Sequence, residues 1–156
     1  MNTIGDIPAH PFLVHFIVAL APLTAILLIL CALWPAARER LVWLTLALSV
    51  VVTVLTPLAA EAGEWLEHQI KAKGPLSPIL EQHTEAGDTM IYGAIGLLVV
   101  SLAFAALHRW GSRLGERLKP ATIVVAVLAV VVGVSTIAQV VRIGDTGAHA
   151  VWGSGS

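Results

Sequence analysis

His10-Pro11-Phe12-Leu13-Val14-His15-Phe16 opens an apolar run that continues without Asp, Glu, Lys or Arg as far as Trp34. A helix needs about 20 apolar residues to cross the hydrocarbon core of a bilayer, and this run supplies them. Lipid offers backbone N–H and C=O groups no partners, so a segment that crosses it must close its hydrogen bonds internally, as a helix does. A secretory signal reads differently. The flank here holds Asp6 and no Lys or Arg, and the run is too long for a signal-peptide core.

Three further stretches repeat the pattern, which places spans at about 12–34, 41–60, 86–108 and 121–142. The 156-residue chain has 12% charged residues, against roughly 25% in soluble domains. Its mean hydropathy is +0.86. The expected fold class is all-α: an integral membrane four-helix bundle running up-down-up-down, as a single domain over 1–156. Ile123-Val124-Val125 and Val130-Val131-Val132 would favour a strand in water, but the length and the lipid setting of that segment favour helix. The net charge of −1 argues against a nucleic-acid partner. The single cysteine, Cys31, excludes an intramolecular disulfide and a cysteine metal motif.

Basic residues set the expected orientation. Arg38 and Arg40 lie between the first two spans; Arg109, Arg113, Arg117 and Lys119 lie between the last two. Only Lys71, Lys73 and Arg142 lie on the other side. Both termini and the 61–85 connection are therefore expected outside, with Trp34, Trp43 and Trp110 at the inner interface and Trp65 and Trp152 at the outer. The second helix is expected to extend beyond the membrane through Glu61–His68 and to stop at Gly74-Pro75. Ser77-Pro78 reads as an N-cap and a first-turn proline that begin the third helix well outside the bilayer. Small residues mark close approaches: Gly87, Ala94 and Ser101 on the third helix, and Ala129-x-x-x-Gly133 on the fourth. No internal repeat stands out.

Five of the six histidines fall at the outer side: His10, His15, His68, His83 and His149. Carboxylates join them there. His10 and His15 are about 140° apart around a helix, so only one of them can face inward. His15 stacks with Ala19 and Pro22 and is expected to be the inward one, with His10 capping the helix entrance. The third helix aligns His83 with Gly87, whose missing side chain leaves room for a flat ligand. Two imidazoles from different helices can hold one haem iron axially, so the expected cofactor site is haem b between His15 and His83, beside Gly87, with Arg142 facing a propionate. The same residues suit a transition-metal ion, with Glu64, His68 and His10 as further ligand candidates. A cofactor-free scaffold, its outer polar groups paired with one another, is the remaining alternative. No Gly-x-Ser-x-Gly elbow or Gly-rich phosphate loop occurs, which favours electron transfer over hydrolase or transferase chemistry.

His10-Pro11-x-x-Val14-His15-Phe16-x-x-Ala19-Leu20 resembles the N-terminal signature of the bacterial membrane family catalogued as domain of unknown function 2231. Further matching pieces are Glu61-Ala62-Gly63-Glu64, His83-x-Glu85-x-Gly87 and the tail Arg142-Ile143-Gly144-Asp145-x-Gly147-Ala148-x-Ala150-Val151-Trp152. The chain departs from the pattern at Ile17, where relatives carry Pro, and at Asp145, where many carry His. The resemblance implies a four-span protein of the bacterial inner membrane. It implies no activity. The lipid bilayer is the expected partner, and an electron-transfer or membrane-complex partner and a homo-oligomer stay open.

Overall fold

The computed structural model describes residues 3–4 and 7–152, with side chains from Ala9 to His149. The expectations placed on Asp6 and on the side chain of Trp152 lie outside these described residues. The chain is helical almost throughout: α1 (Ala9–Leu33), α2 (Pro35–Lys71), α3 (Pro78–Asp88), α4 (Met90–Trp110), a 3-10 segment (Gly111–Arg117) and α5 (Leu118–Trp152). One small exception precedes α1, where β1 (Thr3–Ile4) pairs antiparallel with β2 (Ile7–Pro8).

Single residues shape the connections. Trp34 is extended (φ −130, ψ 107) and joins α1 directly to α2. The residue before a proline is pushed to that conformation, and Pro35 opens α2 where no N–H is needed. Arg38 then reaches back over the turn. Its Nε donates to the Cys31 carbonyl at 2.7 Å and its Nη2 to the Ala32 carbonyl at 3.1 Å. These are among the last carbonyls of α1, which have no partner within the helix. The guanidinium lies 5.0 Å from the Phe104 ring centroid, tying the turn to α4. Between α4 and α5 the reversal falls at Gly115, whose φ of 52 and ψ of −124 only glycine adopts without strain.

The inward faces follow alternating steps of three and four residues. On α1 they are Ile17, Ala21, Thr24, Leu28 and Cys31; on α2, Val42, Thr45, Ser49, Val52, Thr56 and Ala59. On α4 they are Met90, Ala94, Leu97, Ser101 and Phe104. On α5 they are Ala129, Gly133, Thr136, Val140 and Ile143. α1 packs on α2 and α5, and α4 packs on the same two helices. Every buried polar side chain among the described residues is a hydroxyl: Thr24, Thr45, Ser49, Thr56, Ser101 and Thr136. The first four donate to carbonyls of their own helices. Small hydroxyls of this kind let apolar helices approach closely.

Three helical stretches are long and apolar enough to cross a membrane: Ala9–Leu33, Pro35–Lys71 and the 72-residue run Pro78–His149. The third is not one rod, because it reverses at Gly115 and its α4 and α5 portions pack on each other. The helix expected to run unbroken from Pro78 is divided at Thr89. There the Thr89 hydroxyl donates to the Ala86 carbonyl and accepts from Gln139 Nε2 on α5, at 2.8 Å in each case. The expected N-cap is present: Leu80 N–H donates to Ser77 Oγ at 3.3 Å.

Candidate functional site

A cavity of about 350 Å³ lies among the His-bearing ends of α1, α2, α3 and α5. Its wall is mostly aliphatic, including Val14, Ile17, Ala59, Met90, Val140 and Ile143, and two imidazoles project into it, His10 from α1 and His83 from α3. Their ring centroids are 6.4 Å apart and their planes cross at 84°.

Each ring is held the same way. His10 Nδ1 donates to the Ala59 carbonyl on α2 at 2.8 Å. His83 Nδ1 donates to the Ile143 carbonyl on α5 at 3.2 Å and lies 3.3 Å from the Thr146 hydroxyl. A carbonyl can only accept, so Nδ1 carries the proton in both rings and Nε2 is the nitrogen left for a ligand. Burial pushes His83 below the ordinary histidine pKa; the Ile143 hydrogen bond partly offsets this, and the neighbouring His10 adds to the lowering. A neutral ring is the form that binds a metal.

The structure sorts the expected site residues differently from the sequence. His15 is exposed, with Nδ1–H turned back onto the Pro11 carbonyl, and it does not line the cavity. His10 takes the inward place instead. The two histidines do lie on different faces, as their separation of about 140° requires, but the face shared by Ala19 and Pro22 is not the one that packs. The face that packs is Ala21, Thr24 and Leu28, and His10 lies in register with it through Val14 and Ile17. Arg142 is exposed and absent from the cavity wall. It sits one position from Ile143, which takes the inward place on α5. Gly87 lines the cavity as expected. Glu64 reaches only its rim and is exposed, as is His68. Among the described residues, no group of three or more His, Cys, Asp or Glu side chains is placed to hold a metal ion. A second opening beside the first is flanked by the exposed carboxylates of Glu61, Glu64 and Asp88.

Sequence reasoning passed over Gly63 and Gly147. A Cβ on Gly63 would lie 2.9 Å from both Cε1 and Nδ1 of His10; on Gly147 it would lie 2.9 Å from Cε1 and 3.2 Å from Nδ1 of His83. Both glycines continue the inward faces of their helices at steps of three and four, a signal the sequence does contain.

The chain matches the family described as Predicted membrane protein (DUF2231) over residues 6–156 and belongs to it. No curated protein and no solved structure matches the chain.

Proposed function

We propose that this member of the predicted membrane protein family is a small b-type haem protein, with His10 and His83 as the residues that would hold the haem iron. The observation that carries the reading is the pair of imidazoles lining one largely aliphatic cavity, each with Nδ1 engaged and, among the described residues, no hydrogen-bond partner on Nε2. Metal–nitrogen bonds of about 2 Å allow two imidazoles on one ion to have centroids on the order of 6 Å apart, and these rings lie 6.4 Å apart. Two histidines are too few for a protein-built zinc site, which takes three or four protein ligands. They are the full protein share of a haem whose macrocycle supplies the rest. The Ala59 and Ile143 carbonyls fix the orientation of the rings, as ligating histidines require.

Haem, when bound, supplies one-electron chemistry. The chain's part is to present two oriented imidazoles and to surround them with aliphatic side chains. The cavity, at about 350 Å³, is at the low end of cofactor sites, which run from roughly 300 to 1,000 Å³. In this reading α1, α2, α4 and α5 are four crossings of an up-down-up-down bundle, and the basic turns at Arg38–Arg40 and Arg109–Lys119 lie on the cytoplasmic side. The site and both termini then lie at the outer face.

The test is a visible spectrum of the detergent-purified protein, expressed with haem precursors. A Soret band is expected in the wild type. It is lost in His10→Ala and in His83→Ala and kept in His15→Ala. A colourless wild type sinks the haem reading; colour retained in His10→Ala sinks the ligand assignment.

A further inference from the structure

We infer that Gly63 and Gly147 are paired positioning residues, each the seat that orients one imidazole of the site, and that the two hairpins of the chain build this seat twice; the inference rests on the haem reading for what the seats serve.

The two seats share one local design. On α2, the Ala59 carbonyl accepts from His10 Nδ1, and the residue four positions on is Gly63. On α5, the Ile143 carbonyl accepts from His83 Nδ1, and the residue four positions on is Gly147. In an α-helix the carbonyl of residue i already accepts from the N–H of i+4. Its second lone pair faces sideways, and a Cβ at i+4 stands in the approach to it. Removing that Cβ lets a ring lie against bare backbone and reach the carbonyl. The contacts fit this account, because the Cβ position on each glycine falls 2.9 Å from the Cε1 atom of its imidazole. Gly144, in the same helix as Gly147, has nothing within 4 Å of its Cβ position. Gly133 and Gly96 meet aliphatic side chains of neighbouring helices instead.

The two halves also correspond in connectivity. His10 stands at the start of α1, and its seat is on α2, the returning helix of that hairpin. His83 stands on α3, ahead of α4, and its seat is on α5, the returning helix of the second. Each half thus contributes an imidazole, a carbonyl and a glycine in the same chain order. No side-chain similarity beyond this links the halves, which is why the sequence shows no repeat. A ligand held between two such half-sites is gripped alike on both faces, and the seats hold the two rings near perpendicular, at 84°.

The experiment uses the full chain in detergent with isotope-labelled histidine nitrogens, read by NMR above the ordinary histidine pKa of about 6.5. In the wild type, His10 and His83 are expected as Nδ1–H tautomers. Gly63→Ala should lose that signature at His10 alone, and Gly147→Ala at His83 alone. Gly144→Ala should leave both unchanged. Nε2–H tautomers in the wild type overturn the inference even if the alanine variants fail to fold. A seat variant that disturbs neither ring, or both alike, also overturns it. In haem-loaded protein the perpendicular rings should give a strongly anisotropic low-spin ferric EPR signal, which each seat variant should narrow. Nδ1–H tautomers in a protein that takes up no haem refute the haem reading and leave the seats standing.

Discussion

Replacing Gly133 by alanine tests how tightly α5 is fitted to α1. A Cβ at this position would sit 2.8 Å from Ile29 Cγ1, 2.9 Å from Ile29 Cδ1 and 3.2 Å from the Ala25 carbonyl oxygen. The Ile29 side chain can rotate away; the Ala25 oxygen is backbone and moves only if α1 moves. Overpacking of this kind costs about 1–3 kcal/mol. Alanine also gains about 1 kcal/mol over glycine as a helix former, so the net loss for Gly133→Ala alone is small and hard to interpret. Gly144 supplies the control. It is exposed in the same helix, with nothing within 4 Å of its Cβ position, so Gly144→Ala collects the same propensity gain without a clash. The two variants should therefore differ by about 1–3 kcal/mol, with Gly144→Ala the more stable. Reversible unfolding in mixed micelles, followed by circular dichroism along a detergent titration, measures that difference. Equal stabilities would refute the claim that α1 and α5 meet through backbone at this point.

Phe104 is 1% exposed and the largest fully buried side chain; Phe104→Ala should cost about 3–5 kcal/mol in the same titration. Arg38→Met keeps the aliphatic stem but removes the bonds to the Cys31 and Ala32 carbonyls, and about 1–3 kcal/mol should be lost; Arg38→Lys should not recover it, since an ammonium lacks the guanidinium fork. His83 is held below the ordinary histidine pKa, first by burial, so the unfolded chain binds more protons than the folded one. Its contribution to stability is complete above about pH 6.5 and is lost as the pH falls through the lowered folded value. The unfolding midpoint should drop on acidification from about pH 7 to about pH 5, and His83→Gln should flatten that dependence.

The helical membrane architecture was legible because lipid leaves so few solutions. The apolar runs, the Ser77-Pro78 start and the Ala129–Gly133 close approach all recur in the structure. The division of α3 from α4 was not; Thr89 at that junction is bonded by Gln139, 50 residues away in the chain. At the site, His83 and Gly87 were placed by phase and line the cavity. His15 and Arg142 do not, each lying one position or one face from the residue that does. For His15 the reason is that α1 offers two faces with small residues, and only the contacts with α2 and α5 decide between them. For Arg142 it is that Ser135, Gln139 and Arg142 align, while the face of α5 that packs runs through Thr136, Val140 and Ile143. The spacing of Gly63 and Gly147 on their inward faces is visible in the sequence, but the carbonyl acceptors beside them are not.

The division of labour between the hairpins bears on how the protein is made. Ribosome and insertion machinery deliver α1 and α2 first, and with them His10, the Ala59 carbonyl and Gly63. That half is finished before α5 has left the ribosome, while His83 waits for Ile143 and Gly147 at the end of synthesis. The two imidazoles therefore stand together, 6.4 Å apart, only once both hairpins are made, and the cavity they line is complete only when the chain is nearly finished.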